Sequence, residues 1–428
     1  MPLKLLCLLC LWLLPHTPLA AGEDAFLQAL QQALTGNPEI KAAQANLVAA
    51  QEKLPQSRAV LLPSVTLNVT PTHTQSRWQN GELTEHSLAG GISLSQILYN
   101  RPALIAFTQT EPFVAAYVDE LDGAVQGILF KMAQAAVALL QAREIARLAG
   151  NNQHVMQRHL SATQARYQVG EITRTNVSQA EARLVSAQAE QVKADNDLAV
   201  AQAHYFEVAG SPAPEKLTLP GFRHSPGEGS LESWLAQLEQ RPDVRAASKR
   251  LSIADAAIAQ EQAGHWPTVA LTSSANHTWQ RGNIEEVDKY NLGMKMELPL
   301  YSGGMTLSKT AEAQARRDAQ WAQLDRLRRQ AYREVEKARL DLHSSQVLLN
   351  SFNSIVAAAQ MARDGVEREF RVGTRTALEL LDAEHELFAN QTELAKNRYA
   401  WELARFQMLL VVGRLTMEEL VFRPTSTP

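Results

Sequence analysis

Beyond residue 63 apolar and polar side chains alternate. In "SVTLNVT" (64–70) Val65, Leu67 and Val69 fall on one side and Thr66, Asn68 and Thr70 on the other, the two-residue period of a half-exposed strand. A polar loop with the turn dipeptide Asn80-Gly81 follows, and "GISLSQILY" (91–99) is again extended, with Ile92 and Leu94 opposite Ser93 and Ser95. The pattern returns after Pro267. "TVALTSSANHTW" (268–279) leads through an "RGN" loop to "YNLGMKMELPLY" (290–301), where Tyr290, Leu292, Met294, Met296, Leu298 and Leu300 share a face against Asn291, Gly293, Lys295 and Glu297. Four such strands of about ten residues have the length of transmembrane β-strands, although two hairpins of a soluble sheet would alternate in the same way. Four strands cannot close a barrel, and an open edge cannot face lipid, so a barrel built from them needs several chains.

The rest of the pattern is helical. Residues 38–59 are rich in Ala, Gln and Glu and stop before Pro63. Residues 103–168 and 304–371 are nearly free of breakers, and each would reach about 100 Å as a helix. Pro112 interrupts the first near its start, as a kink or a late beginning. Helices at 175–208 and 377–411 then run back, and with the helix before the strands they stack end to end beside the long one. Ala-rich seams such as "AAVALL" and "AAAQMA" permit that close packing.

The two halves repeat one plan. "YQVGEITRTNVSQAEARL" (167–184) aligns without a gap on "FRVGTRTALELLDAEHEL" (370–387), placing Gly170 on Gly373 and Leu184 on Leu387. Residues 37–67 lie on 241–271 with Pro38 on Pro242 and Pro63 on Pro267; Tyr99 falls on Tyr301 and Gly210 on Gly413. The expected organisation is a leader at 1–22, a first structural repeat at 23–225 and a second at 226–428. Residues 1–22 have the basic start, apolar run and small-residue close of a secretory signal, removed near Ala20 to Gly22. Both cysteines, Cys7 and Cys10, lie within it, so disulfides, thiolate metal sites and an N-terminal lipid are not expected.

Net charge is −4 without a long Lys/Arg run, which argues against nucleic acid. No apolar stretch of about 18 residues is expected past residue 22, hence no transmembrane helix. HExxH, GxSxG and GxxxxGK[ST] are missing, and "EHE" (384–386) reads as a solvated helical face, so neither an enzyme nor a cofactor or metal site is expected.

With the helix-to-strand joints at Pro63 and Pro267 and the segment "VGTRTALELLDAEHEL", the whole mature chain resembles the TolC family of outer-membrane efflux and secretion channels. The resemblance implies an α+β membrane protein: a long α-helical coiled-coil barrel joined to a transmembrane β-barrel, with four strands per chain, a trimeric twelve-stranded barrel and an internal two-fold sequence repeat. A mixed collar would come from residues 23–36, 210–236 and 413–428. Expected partners are two further copies in a homotrimer, a periplasmic adaptor (membrane fusion) protein, an inner-membrane ABC or other transporter, and outer-membrane lipid of a Gram-negative bacterium. Type I protein secretion is the favoured role; a multidrug efflux channel and a non-channel periplasmic coiled-coil scaffold are the alternatives.

By the same resemblance, the turns at Gly170 and Gly373 are periplasmic hairpin tips where a tunnel narrows to a gate. Glu379 and Asp382, three apart at a helix start, would form a ring of carboxylates whose mutual repulsion raises pKa values. "TALE" (376–379) also reads as a capping box. Arg375 matches the family's gate-locking arginine, bonded near Thr175 of a neighbouring tip. A second lock, a tyrosine hydroxyl on an aspartate, falls on Phe370 and Asn176; phenylalanine has no hydroxyl, so that bond cannot form and the closed state would rest on Arg375 or on packing.

Overall fold

The computed structural model describes residues 21–79, 81–225, 230–281 and 287–420. The expected leader, except its last two residues, and the end of the expected collar (421–428) lie outside them, as does most of the "RGN" loop. Helices α1 (Ala21–Gly36), α2 (Pro38–Gln51) and α3 (Lys53–Ala59) precede strands β1 (Ser64–Trp78) and β2 (Gly81–Tyr99). Then come α4 (Arg101–Thr108), α5 (Thr110–Gln168), α6 (Arg174–Ala209) and the short α7 (Leu231–Leu235). The second half contains α8 (Pro242–Gln262), β3 (Thr268–Arg281), β4 (Val287–Glu297), α9 (Met305–Arg371), α10 (Ala377–Val411) and α11 (Met417–Leu420). Helix, two strands, long helix and returning helix thus occur twice in sequence.

Local chemistry explains the joints. Asn37 Oδ1 accepts the Glu39 amide at 2.8 Å, and Pro38 takes the first helical position of α2, where a missing N–H costs nothing. Pro63 and Pro267 each stand immediately before a strand. Pro112 would clash with the carbonyl four residues back, that of Thr108, and α4 ends there. Helix resumes at once as α5 at Thr110, so Pro112 marks an interruption at Gln109 and not a late beginning; the Thr110 hydroxyl donates to the Phe107 carbonyl at 2.6 Å.

The chain divides into two compact units. One comprises Ala43–Leu121 and Pro242–Arg329 and contains a four-stranded antiparallel sheet in the order β1-β2-β3-β4. β1 and β2, of 15 and 19 residues, exceed the expected ten. The strands run far into the expected polar loop, since β1 ends at Trp78 and β2 begins at Gly81. Beyond Pro71 both faces carry polar residues, so hydrophobic alternation stops while hydrogen-bonded pairing continues. Pro71 itself is tolerated because β1 is at the edge of this sheet.

Register sorts the two faces. Val65 pairs with Leu94, Leu67 with Ile92, Leu271 with Met294 and Val269 with Met296, all on one face. Thr66 with Ser93, Thr70 with Ala89, Ser274 with Asn291 and Thr272 with Gly293 occupy the other. The apolar face is bare: Leu67 is 71% exposed, Tyr290 79% and Met294 70%. In the same unit α5 meets α8 through a buried carboxylate. Asp119 accepts from Arg245 at 3.0 Å and from Lys249 at 2.5 Å, beside the apolar contact of Val244 and Ala247 with Leu324.

The other unit, from Met1–Ala42, Asp122–Arg241 and Gln330–Pro428, holds the largest core. Phe26 and Leu30 of α1, Leu129, Met132, Ala136 and Leu139 of α5, Tyr205 of α6 and Phe406 of α10 close around Leu217, Phe222, Leu415 and Leu420. The described parts of the expected collar segments are therefore core-forming. Contrary to expectation, an 18-residue window within Arg101–Gln168 is apolar enough to cross a membrane by composition. Half of that window is buried, and residues 128–139 of the same helix supply this core. The sequence scan failed there because single polar residues break the apolar run without lowering its mean hydropathy much. The "AAVALL" seam is packed as expected, with Ala135, Ala136 and Leu139 fully buried, whereas Met361 of "AAAQMA" is 68% exposed.

Candidate functional site

The two turns that the sequence repeats are built alike. At the end of α5 the Glu171 amide donates to the Arg166 carbonyl and the Gly170 amide to that of Tyr167, both at 3.0 Å. At the end of α9 Thr374 donates to Glu369 at 3.0 Å and Gly373 to Phe370 at 3.1 Å. Each pair is a Schellman motif, which requires a left-handed residue after the helix. Gly170 and Gly373 supply it with φ of 80° and 84°.

Their helix starts differ. Thr376 accepts the Glu379 amide at 3.3 Å, and the Glu379 carboxylate accepts the Thr376 amide at 2.7 Å, a complete capping box. At the first tip Thr173 is the N-cap, and its hydroxyl instead donates to Asn176 Oδ1 at 2.7 Å. An acid thus closes one tip and a neutral amide the other.

Arg375 lies against its own hairpin, donating Nε to Glu369 at 2.8 Å and Nη1 to Glu379 at 2.7 Å. The Glu379 carboxyl has its pKa shifted by groups of its own hairpin. Its value is lowered to about 2, first by the Thr376 backbone amide, then by the Arg375 guanidinium and the Thr376 hydroxyl. The Arg375 pKa is raised, chiefly by its hydrogen bond to Glu369 and next by that to Glu379.

Asp382 does not join this cluster. Its Oδ1 accepts from Arg183 of α6 at 2.5 Å, tying the second hairpin to the first. Phe370 is covered by the Arg166 guanidinium, 4.6 Å from the ring centroid. Of the expected residues, then, Arg375 and Glu379 are brought together, whereas Asp382, Phe370 and Asn176 each have other partners; Thr175 is exposed at the first helix start.

Glu369, Arg183 and Arg166 were missed by sequence reasoning. Glu369 carried a local signal, an acid six positions before Arg375 across a glycine turn; the other two depend on tertiary packing. "EHE" is also not a uniformly solvated face. Glu384 is mostly buried and lies 3.8 Å from both His159 Nε2 and Arg363 Nε. Below the tips Met156, Leu160, Ala180, Leu184 and Leu381 form an apolar cluster that fixes α5, α6 and α10 together.

A model of the family described as "Outer membrane efflux protein" matches residues 29–211 and 236–414. The outer membrane efflux protein BepC of Brucella suis biovar 1 (strain 1330) is 27% identical over 411 residues, 94% of this chain and 88% of that protein. The outer membrane protein TolC of Salmonella enteritidis is 26% identical over 410 residues, 93% of this chain and 84% of that protein. The proteases secretion protein PrtF of Dickeya chrysanthemi is 24% identical over 420 residues, 94% of this chain and 91% of that protein. The crystal structure of the outer membrane protein VceC from Vibrio cholerae superposes with a TM-score of 0.79 at 21% identity, covering 91% of this chain and 96% of that one.

Proposed function

Because the chain belongs to the outer membrane efflux protein family, we propose that it is the trimeric outer component of a type I protein secretion assembly. It is an outer-membrane channel and not an enzyme. The observation that carries the finer reading is the sheet: one face apolar and bare, the other lined by hydroxyls and amides, with an open edge at β1 and at β4. In hydrocarbon both edges need partners, and β4 of one copy pairing with β1 of the next satisfies them. Three copies give twelve strands, enough to close. From Val269 to Trp279, at about 3.4 Å per residue and about 40° of tilt, the apolar band is about 25 Å tall, the thickness such barrels span.

In this reading the α5–α6 and α9–α10 tips are the periplasmic gate, the two hairpins of each chain tied together by Arg183 on Asp382 and Arg166 on Phe370, and the second tip stiffened by Arg375 on Glu369 and Glu379. Glu379 and Asp382 from three chains form the acidic constriction, and Thr175 and Asn176 line the neighbouring tips. A periplasmic adaptor and an inner-membrane transporter, of the ABC or another class, complete the path. The cysteine-free chain past Cys10 and the likeness to a protease secretion protein favour secretion; the likeness to the efflux protein BepC supports an efflux channel as the second reading. A soluble scaffold does not accommodate the bare apolar face.

Planar-bilayer conductance of the detergent-extracted protein, with cross-linking to read its size, tests the proposal. Long-lived openings from a trimer, blocked by a periplasmic divalent cation and unblocked by Glu379→Ala with Asp382→Ala, are expected. Openings that the cation never blocks would remove the acidic constriction, and failure to insert would overturn the trimeric barrel.

A further inference from the structure

At the far end of the first hairpin from the helices, two imidazoles meet. His73 of β1 and His86 of β2 are direct cross-strand partners, on the same face as Leu67 and Ile92 and just beyond the Pro71–Leu88 pair where the apolar band ends. Their Nδ1 atoms are 3.2 Å apart, with ring centroids at 4.5 Å and planes inclined by 35°. Without a cation this contact requires one nitrogen to donate and the other to accept. The two nitrogens thus face each other at hydrogen-bond distance.

That separation suits chelation. Two imidazole nitrogens each about 2.1 Å from one ion stand about 3.0 to 3.4 Å apart for angles between square-planar and tetrahedral. The rings adjoin an open hollow of about 480 Å³ that is also lined by Pro71, Leu88 and Trp279, with neither lysine nor arginine in its wall. Among the described residues no group of three or more His, Cys, Asp or Glu converges, so further coordination positions fall to water or to an oxygen donor outside the cell. The nearby His277 already directs Nδ1 at Asp288, 2.7 Å away, and is a separate pair.

We propose that His73 and His86 form a two-nitrogen site for a borderline divalent cation, Cu²⁺, Ni²⁺ or Zn²⁺, at the exterior rim of the barrel. Such an ion adds a side-chain link to the backbone ladder that pairs β1 with β2 on either side of it. The site is independent of the gate and of what the channel exports.

The test uses full-length protein without a histidine tag, in detergent, titrated with Cu²⁺ alone and followed by electron paramagnetic resonance and tryptophan quenching. One Cu²⁺ per chain with a two-nitrogen signature is expected. His73→Ala and His86→Ala should each weaken binding at least tenfold, the double variant no further, and His277→Ala should leave it unchanged. Tight binding that survives in the double variant overturns the proposal. So does the lack of a two-nitrogen signal in the unsubstituted protein, a result that needs no variant to fold.

Discussion

Removing Asp119 should loosen α8 by an amount that follows from its surroundings. Its side chain is 4% exposed and accepts from Arg245 and Lys249, while Lys249 also donates to the Ala115 carbonyl at 3.1 Å. Asp119→Ala leaves two cations facing an alanine beside an apolar contact. Breaking a buried charge pair costs about 3–5 kcal/mol when the remaining charge stays dry. Here Arg245 and Lys249 are 36% and 35% exposed and recover water, which moves the expectation to about 2–3 kcal/mol. At 1.4 kcal/mol per tenfold, the amides of α8 should exchange about 30- to 150-fold faster by hydrogen–deuterium exchange. Asp119→Asn, which keeps an acceptor oxygen and loses the charge, should fall between. An acceleration under threefold in α8, or one spread equally over α10, would refute the inference that this carboxylate is the local tie.

Two further outcomes follow from the sheet and the tips. Leu67→Lys puts a charge on the apolar face and should weaken refolding into lipid vesicles by about 2–4 kcal/mol, whereas Thr272→Lys on the polar face should fold and alter ion selectivity instead; equal effects would show that the faces are misassigned. Glu379 has a depressed pKa, so its contribution is complete above its ordinary value of 4.5 and is lost as pH falls toward about 2. Exchange protection at residues 376–380, corrected for intrinsic rate, should stay level from pH 8 to 5 and drop below 4.5, and Glu379→Gln should abolish that drop.

Legibility in the sequence tracked the range of the interaction. The strand alternation, the two glycine turns and the α10 boundaries at 377 and 411 were readable because each depends on neighbours a few positions away. Pro112 announced a kink or a late helix start, and the clash with the Thr108 carbonyl resolves it as an interruption at Gln109 between two helical stretches. The length of β1 was hidden where Thr72, Thr74 and Ser76 remove apolar contrast. At the tips the capping box was legible in "TALE". The Arg183–Asp382 and Arg166–Phe370 contacts were not, since they join helices far apart in sequence. The depressed pKa of Glu379 comes from donors of its own turn, the Thr376 amide first and then Arg375.

The middle of the sheet is sewn by β2 and β3, and these strands come from opposite halves of the chain. Tyr99 and Val269 are partners although roughly 170 positions separate them, a closure whose entropy costs about 4–5 kcal/mol. Each hairpin can zip by itself within microseconds, but the seam between them must wait until most of the polypeptide has been delivered. Throughout that wait the chain presents two loose ribbons, each with an oily side. Biogenesis of this channel is accordingly timed by its slowest seam, and the safest place for that seam to form is beside the membrane that will cover it.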